Sequence, residues 1–258
     1  PLHRHHSPVT LLIDADWLLF SACAACESDI RWDEWTHTLH LEQGDVKDYI
    51  SSRISYWRDV TFDNDFLLCF SDYPTFRHEI HQEYKANRLG KRKPLGFRDI
   101  RIWMEQTYPC RSCIGLEADD VIGLLATDGV TTNPIVVSID KDMRTVPCQI
   151  LVNDQIEVIH PVDANRAWMT QVLTGDSTDN YAGLKGYGPV TASKTLADAI
   201  TLPELWDKVL AAYKKAGRSY QDALLMARLS RILRHGDYDF DTSTIKLWEP
   251  DLDPAMRA

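Results

Sequence analysis

The chain has 258 residues and a formal net charge of −10, with 44% hydrophobic and 26% charged residues. That is ordinary globular composition, enough for one large domain or a domain with an appendage, and no apolar run approaches the roughly 20 residues that span a bilayer. Taken alone, the charge argues against a polyanionic partner, because phosphate is gripped by Lys and Arg. That inference fails where acids gather in one place and bases in another, and both gatherings occur here.

The N-terminal stretch carries His5 and His6, a weak metal-binding pair or simply a polar tail. The apolar residues Leu11–Ile13 are cut off at once by Asp14 and Asp16, so no secretory signal is read. Val9–Asp14 reads as a strand ending in acids, followed by a helix from Trp17. Cys23 and Cys26 fall in that helix, and with Cys110 and Cys113 they form two Cys-x-x-Cys pairs. These could make a Cys₄ zinc site, but they read better as small apolar residues. Val46–Asp59 has helical spacing, with Val46, Ile50, Ile54 and Trp57 on one face. Phe66–Phe70 is a compact strand ending at Ser71 and Asp72. Ile100–Tyr108 and Glu117–Thr127 read as helices. Ile135–Ile139 is a β-branched strand leading to Asp140 and Asp142.

Apolar strands alternating with helices predict an α/β fold with a mostly parallel central sheet flanked by helices. Ligands in such sheets gather beyond the carboxyl ends of the strands, and three of these strands end in aspartate. After about residue 163 the pattern is mainly helical, with a Gly-rich turn at Gly183–Pro189, a helix from Val190, another over Tyr220–Arg234, and a short closing segment at Ile245–Trp248. No repeat, low-complexity tract or flexible linker is present.

The conspicuous acids fall into five groups: Asp14 with Asp16; Asp72; Glu117, Asp119 and Asp120; Asp140 with Asp142; Asp176 with Asp179. Glu117 and Asp120 share a helix face at i, i+3, and Asp176 and Asp179 have the same spacing. Like charges about 5 Å apart repel by roughly 3 kcal/mol at an effective dielectric near 20. Packed together they require cations, and oxygen-only ligands favour Mg²⁺ or Mn²⁺ over zinc. Any single group could merely solvate the surface or cap a helix. Acids at the ends of three apolar strands are harder to explain that way.

Arg77–Arg101 holds eight Lys/Arg against three acids, a basic patch within an acidic chain. There Tyr84 could stack on a base while Lys85 and Arg88 hold the backbone. The alternative is a solvated charged loop. Gly183–Pro189, leading into a helix through Lys194, lets backbone amides approach a phosphate. Such a glycine spacing is as often a tight turn, but here it closely follows Asp176 and Asp179.

LLIDAD, the strand ending at Asp72, YKANR, LEADD, SIDKD, TGDSTDN and GLKGYGP occur in this order. In this the chain resembles the 5′-nuclease superfamily of flap endonucleases, bacterial polymerase 5′-nuclease domains and phage 5′→3′ exonucleases, over about Leu11 to Lys194. Met226–Leu229, Arg231–Arg234, Asp237–Phe240 and Leu247–Pro250 extend the similarity, toward the double-strand-specific exonucleases of short-tailed (T-seven-like) bacteriophages.

The resemblance implies a PIN/5′-nuclease-like core at 9–162 with a basic arch at about 77–101. It also implies a C-terminal helical duplex-binding region at 163–258, with a helix–turn–helix variant around 183–194. Asp14, Asp72, Glu117, Asp119, Asp140 and Asp142 match metal-binding, catalytic acids, completed by Asp120, Asp176 and Asp179 around two Mg²⁺ (or Mn²⁺) ions. Lys85 and Arg88 match the pair on the scissile phosphate, and Tyr84 the neighbouring aromatic. Lys91, Arg92 and Lys93, with Gly183, Lys185, Gly186, Gly188, Thr191 and Lys194, are the implied DNA contacts, with K⁺ at the Gly-rich turn.

Two departures stand out. Asp16 occupies a position where many relatives have a small polar residue. The segment between Arg88 and Ile100 is short and contains Pro94, too short to enclose much of a threaded strand. The expectation is therefore a two-metal 5′→3′ exonuclease on duplex DNA with a free 5′ end, serving phage replication and host DNA breakdown. RNA–DNA hybrids or 5′ flaps are further substrates to consider, and the expected state is a monomer in the cytoplasm of an infected bacterial host. The rivals are a flap endonuclease, a related RNase, and a non-catalytic DNA-binding protein.

Overall fold

The computed structural model describes residues 9–62 and 65–256; the pair His5 and His6 lies outside them. In chain order the elements begin with β1 (Thr10–Asp14), α1 (Ala15–Cys26), β2 (Ser28–Arg31), β3 (His37–His40) and α2 (Gln43–Thr61). They continue with β4 (Asp65–Cys69), α3 (Phe76–Ile80), α4 (Phe97–Thr107), β5 (Cys110–Arg111), α5 (Ala118–Ala126) and β6 (Pro134–Val137). A short 3₁₀ turn (Lys141–Thr145), β7 (Gln149–Val152), β8 (Gln155–Val158), α6 (Pro161–Thr174), α7 (Pro189–Leu196), α8 (Leu202–Lys215) and α9 (Tyr220–Ser230) follow.

The main sheet has the order β5-β4-β1-β6-β7-β8 and is parallel except at the β8 edge. β1 lies at its centre, and its apolar run is continuous because both faces are covered. Leu11 and Ile13 pack with α1, α2 and α4 on one side, while Leu12 packs toward α5 on the other. The chain first lays strands to one side of β1 and then to the other. The carboxyl ends of β1, β4 and β6 therefore converge where the strand order reverses, the usual crevice for a ligand.

The helices α6 to α9 build a further apolar cluster around Trp168, Trp206, Tyr213 and Trp248. Capping boxes start α8 (Thr201 with Glu204) and α9 (Ser219 with Asp222). Gly183 is required by close approach, since a Cβ there would lie 2.3 Å from the Leu173 carbonyl oxygen. Among the described residues no helix is long and apolar enough to cross a membrane.

Several sequence expectations shift. The hairpin β2–β3 was not foreseen, and the helix expected from Ile100 already begins at Phe97. The helix expected to reach Arg234 stops at Ser230. Its arginine-rich end is instead extended, because residues beyond it are taken up by tertiary bonds: the Leu233 amide donates to Asp120 at 3.1 Å, and the Arg231 carbonyl accepts from Arg77 at 2.6 Å. The four cysteines of the two Cys-x-x-Cys pairs are all free. Cys23 and Cys113 sit in apolar clusters on opposite faces of the sheet, so no Cys₄ site is assembled.

Arg77, counted in the basic patch from sequence, is only 2% exposed. Its guanidinium donates to Asp120 at 2.6 and 2.8 Å, to Glu117 at 3.1 Å, and to the carbonyls of Leu229 and Arg231 at 2.9 and 2.6 Å. Burial alone would favour the neutral form, but the Asp120 and Glu117 carboxylates outweigh it and hold the side chain charged. Removing one member of such a group strands the others. Arg77→Met is expected to lower the unfolding free energy by about 3–5 kcal/mol in urea titration, and adding Asp120→Leu should recover part of that loss. A cost below about 1 kcal/mol for the single variant would show that the network is not a structural requirement.

Candidate metal centre and phosphate grip

Asp14 ends β1 and caps α1. One of its oxygens accepts from the Trp17 amide at 3.1 Å and the other from the Ser138 hydroxyl at 3.1 Å. Burial, reinforced by Asp16 and Asp140, pushes its carboxyl up to about 6. Asp16, in the first turn of α1, lines the same cleft; it accepts from the Ser71 amide at 3.0 Å and lies 3.8 Å from Arg101. Glu117 caps α5, and Asp119 is the second residue of that helix. Burial would raise the Glu117 pKa, but Lys85 and Arg77 outweigh it and leave the carboxyl below its usual range. At Asp119 the same two cations are outweighed. Burial and the adjoining Asp120 and Glu117 charges hold its carboxyl well above the usual range.

Asp140, just beyond β6, completes the cleft with Asp14, Asp16, Glu117 and Asp119. Its carboxylate accepts from the Asp142 amide at 2.8 Å. Asp142 is pushed up to about 7 by burial and then by Asp140 and Asp176, with Asp179 adding to the repulsion. Asp176 is buried and accepts from the Thr178 amide at 2.7 Å. Asp140 and Asp142 thus link two acid groups, one on the sheet ends and one on the loop after α6.

Lys85 and Arg88 stand over these acids. The Lys85 ammonium bonds Glu117 and lies 3.6 Å from Asp179, while Arg88 donates to Asp179 at 2.5 Å. Burial disfavours the Lys85 charge, yet Glu117 and Asp179 dominate and keep it protonated.

Three expected site residues are placed elsewhere. Asp72 does not line the cleft; its carboxylate accepts from the Gly115 amide at 3.0 Å and ties the loop after β4 to the loop before α5. Asp120 belongs to the one group of acids, with Glu117 and Asp119, whose ligand atoms lie within 4.8 Å among the described residues. Its oxygens are nevertheless committed to Arg77, the Leu233 amide and the Glu117 amide, so it serves as a counter-ion inside the fold. Tyr84 is only 3% exposed, with its hydroxyl donating to Glu117 at 2.9 Å and Asp179 at 3.1 Å, so its ring has no free face for a base.

In the basic loop, Arg92 is held by Glu27 at 2.6 and 2.8 Å, and Lys93 lies 4.8 Å from the Phe97 ring centre. Lys91 is exposed. Gly183 packs against backbone, whereas Lys185, Gly186, Gly188, Thr191 and Lys194 are exposed along the turn and the start of α7. Asp16, grouped with Asp14 in the sequence but set apart there as a departure from the family pattern, lines the cleft. Ser71, Ser138 and Tyr73 were missed as parts of the site and left no signal of their own.

The donor set fits a divalent cation. It consists of carboxylate oxygens, several of them protonation-prone for want of positive charge, and the nearest ammonium group has folded down among them. Hard, oxygen-seeking ions answer that deficit.

The family described as the 5′-3′ exonuclease N-terminal resolvase-like domain matches residues 9–177. The exonuclease of Escherichia phage T7 is 28% identical, covering 93% of this chain and 93% of the relative. The exodeoxyribonuclease of Enterobacteria phage T3 is 28% identical, covering 93% and 92%. The bacteriophage T5 flap endonuclease, crystallised as a pseudo-enzyme-product complex with DNA and metal ions, superposes with a TM-score of 0.60 at 14% identity, covering 85% of this chain and 89% of that one. At that identity the likeness is one of fold.

The raised acids carry a pH signature. Asp14 and Asp142 have folded-state values of about 6 and about 7 against an ordinary 3.8, so the folded chain binds more protons than the unfolded one between those limits. Their contribution falls as pH rises through that window, and a bound cation offsets it. The melting-temperature gain from Mg²⁺ over EDTA should therefore be small near pH 5 and larger near pH 8. A gain independent of pH would remove these acids from the binding site.

Proposed function

Because the chain belongs to the 5′-3′ exonuclease family, we propose that this nuclease is a metal-dependent 5′→3′ exonuclease of duplex DNA that leaves 5′-phosphate products. The observation that carries the reading is the pair of acid groups joined through Asp140 and Asp142, with Lys85 and Arg88 directly above them. Asp14, Asp16, Glu117, Asp119 and Asp140 would hold one Mg²⁺ or Mn²⁺ ion, and Asp142, Asp176 and Asp179 a second. Such ions supply a nucleophile at neutral pH and offset charge on the departing oxygen.

The chain's own residues do the positioning. Ser138 and the Trp17 amide fix the Asp14 carboxylate, and the Ser71 amide fixes Asp16. Lys85 and Arg88 now rest on Glu117 and Asp179. Cations neutralising those acids would free both side chains for the scissile phosphate, where they balance developing charge. Lys91, Lys185 and Lys194, with the exposed amides at Gly186 and Gly188, would track the duplex backbone, and K⁺ at the Gly-rich turn would bridge protein to phosphate. In this reading 9–162 holds most of the chemistry, 163–258 lends it Asp176 and Asp179 and grips the duplex, the protein acts as a monomer in the host cytoplasm, and the short basic loop favours duplex ends over threaded flaps.

With end-labelled duplex and Mg²⁺, shortening is expected from the 5′ end. Asp119→Asn should abolish cleavage while leaving duplex binding, and Arg88→Ala should slow single turnover by about 10²–10³. Faster cleavage of a 5′-flap substrate than of blunt duplex would move the assignment to a flap endonuclease. Wild-type turnover in Asp119→Asn would refute the site.

A further inference from the structure

The burial of Tyr84 leaves the cleft without the aromatic that its sequence position promised, yet an exposed ring stands at the rim. Tyr73, in the loop between β4 and α3, is 57% exposed and lines the cleft together with Asp16, Lys85, Arg88 and Glu117. Its ring meets the His78 imidazole edge-on at 6.2 Å, and His78 is itself fixed through Thr75, whose amide donates to its Nδ1 at 3.2 Å. His78 in turn abuts Tyr84 at 5.4 Å. Tyr73 is therefore braced through edge contacts between rings while more than half of its surface stays open to solvent. The second aromatic at the cleft, Trp17, is half-buried and already packed against Trp57 at 5.8 Å.

On the nuclease reading above, we propose that Tyr73 is the platform on which a nucleobase flanking the scissile phosphate stacks. A nucleotide whose phosphate lies at Lys85 and Arg88 carries its base one sugar away, and the free aromatic face at the same cleft is that of Tyr73. Stacking of this kind is sequence-tolerant, because every base has a π-face. It suits an enzyme that must take each successive nucleotide whatever its identity. Its effect is to hold the reacting strand in register over the acids, which matters because small displacements of a bound substrate cost large factors in rate.

The test is single-turnover hydrolysis of end-labelled duplex in Mg²⁺, comparing native DNA with duplexes abasic at the terminal or the penultimate 5′ nucleotide. The wild-type protein is expected to lose about tenfold on one of the two abasic duplexes. Tyr73→Ala should lose about tenfold on native DNA and nothing further on that abasic duplex, whereas Tyr73→Phe and Tyr73→Trp should keep the wild-type pattern. Equal slowing by Tyr73→Ala on all three duplexes, or no slowing at all, overturns the stacking role. A wild-type protein that hydrolyses none of the duplexes overturns the nuclease reading instead, so the two failures are distinct.

Discussion

The site depends on a cation that never reaches it. Arg77 lies beneath the acids, and each of its N–H groups has a partner: the Asp120 and Glu117 carboxylates and the carbonyls of Leu229 and Arg231. Those carbonyls come from the end of α9 and the residues just past it, where a helix presents its negative pole. One guanidinium thus joins α3, which follows β4, to the start of α5 and the end of α9. Losing it would expose two buried carboxylates to one another and a helix end to nothing.

This arrangement divides the acids by task. Asp120 spends its oxygens inside the fold, and Glu117 is shared, with Arg77 and Tyr84 on one oxygen and Lys85 on the other. Asp14, Asp119 and Asp142 receive no comparable compensation, and burial holds all three above their ordinary range. A fold that neutralised every acid would have no use for a metal ion. Here the inner acids are balanced to preserve the structure, and the outer ones are left short of positive charge.

Much of the fold was readable from residue pattern. The strands β1, β4 and β6 are short apolar runs, and burial on both faces makes such runs unmistakable. The acids beyond β1 and β6 were equally legible, because the parallel sheet sends its strand ends to one edge. Asp72 was less so. Where its side chain goes depends on how the loop after β4 turns, and there the Gly115 amide, distant in sequence, takes up its carboxylate. Tyr84 failed as a stacking candidate for a similar reason: it lies in a basic stretch, but Lys85 adopts a left-handed conformation (φ 54°) and the tyrosine goes into the core. The arginine-rich end of α9 kept a helical pattern in sequence while tertiary bonds with Asp120 and Arg77 drew it out straight.

The charge balance takes its final form from the same distinctions. A basic stretch in a sequence is a count of side chains, whereas affinity for phosphate depends on those left free. Arg77 is buried, Arg92 is bound to Glu27, and Arg101 is shared between Glu105 and the Ser71 carbonyl. Of the cations expected to meet DNA, Lys91 on the loop and Lys185 and Lys194 by α7 are exposed. At the cleft itself Lys85 and Arg88 are engaged by Glu117 and Asp179, so a polyanion would meet acids there that are not fully balanced. The charge deficit of the cleft and the engaged bases around it are thus two sides of one constraint: fewer cations are free for phosphate than the sequence count promises, and divalent ions among the acids would make up the difference.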